Sequence, residues 1–159
     1  MSDAPPFALA AVVLAGGAAM GDVPKLESMV RAARAAGAEP VVVVLPRGVS
    51  VPEGARAVQS APGAKTISGL RAGMALLANS PARFVLLWPF SSEWSETDGV
   101  MPLVEAAQRE QAPVTAMEGA DLDREPIIVA RDSWLELMTI GEQGMNALAA
   151  RRGVNRVQN

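Results

Sequence analysis

Residues 7–17 read Phe-Ala-Leu-Ala-Ala-Val-Val-Leu-Ala-Gly-Gly, a continuous apolar run that ends at two glycines. Such a run, with two adjacent β-branched valines, is typical of a strand buried on both faces of a sheet. Apolar residues then recur at helical spacing at Leu26, Met29, Val30 and Ala33. Gly37 follows in the position of a helix-ending glycine, and residues 41–45 form a second apolar run before Pro46. This order predicts a right-handed βαβ unit with parallel strands.

The rest of the chain continues the same alternation. Further strands are predicted at residues 57–59, 84–87, 114–116, 127–130 and 154–157. Further helical patterns begin at Ile67, at Pro102, at a capping-box pair formed by Ser133 and Glu136, and at Gly144. The alternation predicts a three-layer α/β/α sandwich with a mostly parallel, Rossmann-like sheet, in one domain that spans residues 1–159.

Composition excludes several classes of chemistry. Net charge is −3 and no run of Lys or Arg stands out, so neither nucleic acid nor an anionic membrane is favoured as a partner. The chain has no Cys and no His, which excludes disulfides, thiolate or His-ligated metal sites, and Ser-His or Cys-His catalysis. Residues 1–6 are not typical of a signal peptide, and the apolar run after them is too short to span a bilayer. These features predict a soluble, cytoplasmic protein.

Ligands of such sheets bind beyond the carboxyl ends of the strands, which points to the loops at residues 15–25, 88–99 and 141–144. The first loop reads Ala-Gly-Gly-Ala-Ala-Met-Gly-Asp-Val-Pro-Lys. Its glycines allow backbone N–H groups to approach phosphate oxygens, the following helix N-terminus favours anions, and Lys25 adds a positive charge. An ordinary strand–helix turn with a solvated lysine explains the same residues, so both interpretations stay open at this point.

Residues 16–21 also fit a degenerate dinucleotide-binding pattern, G-x-A-x-x-G. Ala18 stands where the second glycine of that pattern lets a pyrophosphate approach. Pro24 falls inside the opening helix, where proline is unfavourable. No acidic residue that could bind a ribose follows Pro46 and Arg47 directly. Dinucleotide binding is therefore the weaker interpretation of this loop.

The loop resembles the signature of the molybdopterin nucleotidyltransferases, the molybdenum cofactor guanylyl- and cytidylyltransferases, whose pattern is L-A-[AG]-G-x-S-x-R-M-G-x-x-K. The residues kept are Leu14, Ala15, Gly16, Gly17, Met20, Gly21 and Lys25. The chain is two residues shorter before Met20 and one longer after Gly21, and the serine and arginine are absent. The glycine pair is closer to the guanylyl version. The resemblance implies that a nucleotide is bound by Leu14, Ala15, Gly16, Gly17 and Lys25.

Later segments resemble the family's other motifs in the same order. Residues 69–74 resemble its S-L-x-x-G-L helix, and residues 87–89 stand where it has D-x-P. Residues 124–127 stand where it has G-H-P-V, and residues 141–144 where it has G-D-x-G. The resemblance runs from residue 14 to residue 144. It implies a nucleotide-diphospho-sugar transferase fold, with Mg²⁺ and GTP or CTP as ligands.

Two departures from the family fall on groups that its chemistry needs. Leu87 stands in place of the D-x-P aspartate, which in the family holds Mg²⁺ between the nucleotide and the attacking phosphate, and leucine cannot coordinate a metal. The loop arginine that grips the triphosphate is missing. Glu142 keeps a carboxylate at the second acidic position and is the candidate metal ligand. Solvated loop charges are the simpler explanation of the remaining acids in these loops, Asp22, Glu93, Glu96 and Asp98.

Aromatic residues mark the second candidate loop, and the hypotheses for function differ in how they use it. Trp88, Phe90 and Trp94 either stack on a base or pterin ring, meet a partner protein, or cover the core, which is the commoner role. One hypothesis is a working or weakened nucleotidyltransferase. The other is a non-catalytic domain that binds a nucleotide, a pterin or a protein, with an interaction or regulatory role. The missing aspartate and arginine favour a degenerate, catalytically impaired protein.

Overall fold

The computed structural model describes residues 8–60, 66–90, 100–119, 121–122, 124–139 and 144–157. The strands of this part are β1 (Leu9–Leu14), β2 (Val41–Pro46), β3 (Arg56–Ser60), β4 (Phe84–Pro89), β5 (Val114–Met117), β6 (Ile127–Ala130) and β7 (Asn155–Val157). Its helices are α1 (Val23–Ala35), α2 (Thr66–Leu77), α3 (Met101–Glu110), α4 (Trp134–Thr139) and α5 (Gly144–Arg152), with 3-10 turns at Met20–Asp22 and Arg131–Ser133. None of the helices in the described ranges is long and apolar enough to cross a membrane.

The described strands form one sheet in the order β3-β2-β1-β4-β6-β5-β7. β1 pairs in parallel with β2 and β4, β2 with β3, and β5 with β7. β6 runs antiparallel to both of its neighbours, β4 and β5. The nine residues that join β5 to β6 are too few for the crossover that a parallel pair requires. The mostly parallel sheet predicted from the sequence is confirmed, with one reversed strand.

Helices cover both faces of the sheet, as the sequence predicts. Residues of α1 and α3 pack on one face with alternate residues of β1, namely Leu9, Ala11 and Val13. Residues of α2, α4 and α5 pack on the other face with Ala10 and Val12. Each of these β1 residues is at most 3% exposed. The apolar residues of β1 thus lack polar alternation because the strand has no face toward water.

The two ends of α1 follow the sequence signals. Pro24 lies in the first turn, where a residue without an N–H leaves no intrahelical hydrogen bond unmade, so it is no obstacle to a helix that starts at this loop. Gly37 has a φ of +96°, its N–H donates to Arg34 O, and the Ala38 N–H donates to Ala33 O. This pattern is a Schellman termination, and the left-handed φ explains why glycine stands there.

Trp88 lies within β4, which continues to Pro89, rather than in the polar loop predicted from the sequence. It pairs with Val13 of β1 and is 1% exposed, in the core beneath α1 and α3. Burial of this large apolar ring is more favourable than its exposure to water in a loop. Of its predicted roles, the structure therefore shows the core-covering one.

The predicted capping box at Ser133 and Glu136 is wrong. Ser133 directly precedes α4 but is the last residue of the 3-10 turn at Arg131–Ser133, whereas a capping residue has a non-helical conformation and its side chain accepts a hydrogen bond from the helix. Its Oγ is buried without a hydrogen-bond partner among the described residues. Glu136 Oε1 instead accepts a hydrogen bond from Arg152 Nε at 2.6 Å. The glutamate therefore joins α4 to α5.

Candidate functional site

The glycine loop begins at the carboxyl edge of the sheet, between β2 and β4. The Ala15 N–H donates to Val44 O at 2.9 Å, and the Phe90 N–H donates to Leu14 O at 3.0 Å. Both neighbours of β1 therefore hold the point where the chain leaves that strand. Ligands of open α/β sheets bind at this edge, so the first predicted loop has the position that the sequence assigned to it.

Hydrogen bonds within the loop fix its second half. The Ala18 N–H donates to Ala15 O at 3.0 Å, and the Asp22 N–H donates to Ala19 O at 2.9 Å. The Ala19 N–H donates to Asp22 Oδ2 at 2.8 Å. Asp22 is half-buried, so its carboxylate holds the loop together rather than standing as the freely solvated charge expected from the sequence. The Ala18 and Ala19 N–H groups are thus already engaged.

Gly16 and Gly17 present the open part of the loop. Both are exposed, and neither makes a hydrogen bond to the described residues. A Cβ added at Gly17 would meet no atom within 4 Å, and neither glycine has a positive φ. The backbone conformation therefore does not require glycine here. Among the described residues, the two N–H groups are left without a hydrogen-bond acceptor and without side chains of their own beside them, the feature by which such loops bind phosphate.

Ser60, at the end of β3, is a neighbour of this loop that the sequence gives no reason to select. A Cβ added at Gly16 would lie 3.3 Å from Ser60 Oγ. The hydroxyl therefore stands beside the glycine turn, although the two residues are far apart in the chain. The sequence predicts only a short strand in this region and no site residue, because the pairing that brings the two together is set by the sheet.

Lys25 lies in the first turn of α1 and reaches the end of β4. Its Nζ donates to Phe90 O at 2.7 Å and lies 4.4 Å from the centroid of the Phe90 ring. The first is a short, charge-assisted hydrogen bond, and the second is within cation–π range. The lysine side chain is exposed on the surface. Its ammonium group is therefore held at the mouth of the glycine loop.

The five residues predicted to bind a nucleotide differ in what they expose. Ala15 is 1% exposed and lies in the core beneath α1. The Leu14 side chain packs against the opposite core. Gly16, Gly17 and Lys25 are exposed. Only these last three offer groups to a ligand outside the sheet, whereas the first two support the loop from below.

Leu87, the residue in the place of the family's metal-binding aspartate, lies inside the sheet. It pairs with Val12 and Ile127, is 2% exposed, and packs in the core beneath α2, α4 and α5. In the described ranges, no group of three His, Cys, Asp or Glu side chains is arranged to hold a metal ion. Among the described residues, those around Leu87 therefore do not fit a magnesium ion.

Other sequence candidates fall on residues 91–99 and 140–143, which lie outside the described residues. They are the predicted metal ligand Glu142, the loop acids Glu93, Glu96 and Asp98, and the aromatic Trp94. Phe90, the last described residue before the first of these segments, is the aromatic residue that contacts Lys25. Of the three predicted loops, the structure thus describes only the first in full.

The β5–β6 loop carries a small polar cluster at the same edge. Asp121 O accepts hydrogen bonds from the N–H groups of Arg124 and Glu125, both at 3.0 Å. Asp121 Oδ1 is 3.5 Å from Asn146 Nδ2 in the first turn of α5. The cluster connects the segment that resembles the family's G-H-P-V motif to the start of the last helix.

No protein-family model matches the sequence, and no curated protein matches it. Solved structures do resemble it. The chain is similar to Rv0371c of Mycobacterium tuberculosis H37Rv in complex with manganese, with a TM-score of 0.71 and 18% identity over 96% of this chain and 88% of that one. It is similar to 2-C-methyl-D-erythritol 4-phosphate cytidylyltransferase from Thermus thermophilus, with a TM-score of 0.64 and 20% identity over 96% and 88%. The fold is nucleotidyltransferase-like.

A third similar structure is a CMP:2-keto-3-deoxy-manno-octonic acid synthetase complexed with CTP. Its TM-score is 0.59, with 12% identity over 96% of this chain and 90% of that one. The cytidylyltransferase and the synthetase are named for different small molecules, so the likeness is to a broad nucleotidyltransferase-like fold. It confirms the predicted fold class. The narrower resemblance to the molybdopterin enzymes stays a prediction, because identities this low carry the fold and not the function.

Proposed function

We propose that this chain is a nucleotidyltransferase-like protein that binds a nucleoside triphosphate at the Gly16–Gly17 turn and Lys25, and that it is impaired in nucleotidyl transfer. Its functional analogy is to the molybdenum cofactor guanylyl- and cytidylyltransferases, as the loop signature indicates. GTP is the preferred nucleotide in this proposal, since the glycine pair is closer to the guanylyl version of the motif. A small molecule is thus its main partner.

The observation that carries the proposal is the pair of exposed glycines, Gly16 and Gly17, in a loop flanked by Leu14, the last residue of β1, and by Lys25, both of which bind Phe90. The two glycines are exposed and make no hydrogen bond to the described residues. Lys25 Nζ is fixed at the end of β4. Backbone N–H groups at a strand–helix turn, together with a lysine, are the donors that phosphate oxygens need. An ordinary connecting turn has no need of that combination.

Impairment is inferred from the position of Leu87 and from the missing loop arginine. Nucleotidyl transfer builds negative charge on the α-phosphate, which a metal ion and cationic side chains must neutralise. The Leu87 side chain offers no oxygen and is buried in the sheet. Lys25 is the cation of the loop that remains. Binding of the phosphates is therefore better supported than catalysis of their transfer.

Calorimetric titration with GTP and with CTP, each with Mg²⁺, tests the binding proposal. We expect wild-type protein to bind GTP more tightly than CTP. Lys25→Met should weaken binding roughly tenfold to a hundredfold, because it removes a charge-assisted hydrogen bond. The matched control is Arg31→Met, which removes a positive charge on α1 about 9 Å farther along the helix axis. If wild-type protein shows no heat with either nucleotide, the proposal is wrong.

A second assay separates binding from catalysis. Release of pyrophosphate is measured with GTP or CTP and molybdopterin as acceptor. We expect none above the rate without protein, under conditions in which calorimetry shows the nucleotide to be bound. Turnover that depends on Lys25 would contradict the inferred impairment, although it would leave the nucleotide site itself in place.

A further inference from the structure

Phe90 contacts both ends of the glycine loop. Its N–H donates to Leu14 O at 3.0 Å, where the loop begins. Its carbonyl oxygen accepts a hydrogen bond from Lys25 Nζ at 2.7 Å, where the loop has just ended. Its ring lies against the same ammonium group, at 4.4 Å from the centroid. Phe90, which directly follows β4, thus bridges the two ends of the segment that carries Gly16 and Gly17.

From this geometry we infer that Phe90 is a positioning residue for the nucleotide site, which holds the Lys25 ammonium where it meets the phosphates. The inference rests on the proposed function. A free lysine side chain loses substantial rotamer entropy when a ligand fixes it. The Phe90 contacts impose much of that order before the nucleotide arrives, and preorganisation of this kind raises affinity.

The ring and the carbonyl of Phe90 have separable roles. The carbonyl oxygen competes with phosphate oxygens for the ammonium hydrogens. The ring face attracts the cation without occupying a hydrogen-bond donor. A bound phosphate can therefore take over the donor now directed at the carbonyl while the ring contact persists. The aromatic side chain, rather than the backbone, should then determine how much Phe90 contributes to binding.

The test is a double-mutant cycle on the affinity for GTP with Mg²⁺. Phe90→Leu keeps the backbone carbonyl and removes the ring, and should weaken binding about twofold to fivefold, because part of the cost of ordering the lysine side chain then falls on nucleotide binding. In the Lys25→Met background the same substitution should have no effect. Phe90→Tyr, which keeps an aromatic face, should bind GTP with the same affinity as wild-type protein.

A second measurement reports the contact without any nucleotide. In wild-type protein the ring should shift the Lys25 Hε protons upfield in the NMR spectrum, and Phe90→Leu should abolish that shift. Thermal unfolding of each variant confirms that binding is measured on folded protein.

The outcomes separate the two claims. Absence of nucleotide binding by the wild-type protein overturns the proposed function, and this inference with it. If wild-type protein binds and Phe90→Leu weakens binding equally with and without Lys25, the residue acts through the fold and the inference alone is overturned. An unshifted Lys25 resonance in wild-type protein overturns it as well.

Discussion

The guanidinium group of Arg131 lies over the indole ring of Trp134, with 4.8 Å between Cζ and the ring centroid. Its Nη1 donates to Ser80 O at 2.8 Å and to Ala82 O at 2.6 Å. Its Nη2 donates to Ala78 O at 2.7 Å. The residue that follows β6 therefore holds the segment between α2 and β4 in place. The planar fork of arginine can reach three carbonyls in this way, whereas a lysine ammonium cannot keep the same geometry.

Replacing Arg131 by lysine should lower the free energy of unfolding by about 1–2 kcal/mol, since it loses the fork and the flat contact with Trp134. Urea denaturation followed by Trp fluorescence measures the change. Arg109→Lys is the control, because Arg109 makes an exposed ion pair with the adjacent Glu110 and such pairs contribute little. Equal stability of the two variants would show that the carbonyl contacts of Arg131 do not hold the segment.

Glycines in α2 set how closely this helix packs on the sheet. A Cβ added at Gly73 would lie 2.9 Å from Val12 Cγ1, and one added at Gly69 would lie 2.8 Å from Val44 Cγ1. Both distances are shorter than a carbon–carbon contact allows. We expect Gly73→Ala to lower the free energy of unfolding by about 1–2 kcal/mol, because the overpacking exceeds the gain in helix propensity.

The gain in helix propensity partly offsets the packing loss at Gly73→Ala, so a control must isolate the clash itself. If the Gly73→Ala loss comes from the clash, shortening the opposing side chain should relieve it, so Gly73→Ala should cost less in a Val12→Ala background. Gly17→Ala serves as the neutral reference, since its added Cβ meets nothing within 4 Å. A Gly73→Ala variant as stable as wild type in urea would mean that α2 can move away from β1 without loss.

Much of the fold could be predicted because each strand that is buried on both faces corresponds to a continuous apolar run in the sequence. β1 and β2 are buried on both faces, so their positions follow directly from residues 9–14 and 41–45. The direction of β6 could not be predicted this way. Its four residues are apolar whichever way the strand runs, and the length of the β5–β6 loop is the feature that excludes a crossover. Trp88 was misplaced because a polar stretch begins just after it.

The candidate site was predictable in position but not in its contacts. The glycine loop and Lys25 lie in one short stretch, so local sequence marks them. The contact between Lys25 and Phe90 joins residues 65 apart, and the approach of Gly16 to Ser60 depends on the pairing of β1, β2 and β3. Local periodicity carries no information about such pairs. Asp22 was misjudged for a related reason, since its partner is a backbone N–H that no residue type reveals.

Restoring the family's acidic residue should disrupt the protein rather than create a metal site. Leu87 is 2% exposed between Val12 and Ile127 in the sheet. An aspartate there would be a buried charge without a partner, which costs about 3–5 kcal/mol. Leu87→Asp should therefore lower the free energy of unfolding by that amount, while Leu87→Met, which conserves volume, should lose less than about 1.5 kcal/mol.

Thermal unfolding with and without Mn²⁺ completes the test, because a metal that binds only the folded state raises Tm. We expect no Mn²⁺-dependent rise in Tm for Leu87→Asp beyond that of wild type. A variant that folds normally and gains stability with Mn²⁺ would show that this position opens to the site, and that one substitution had removed the metal.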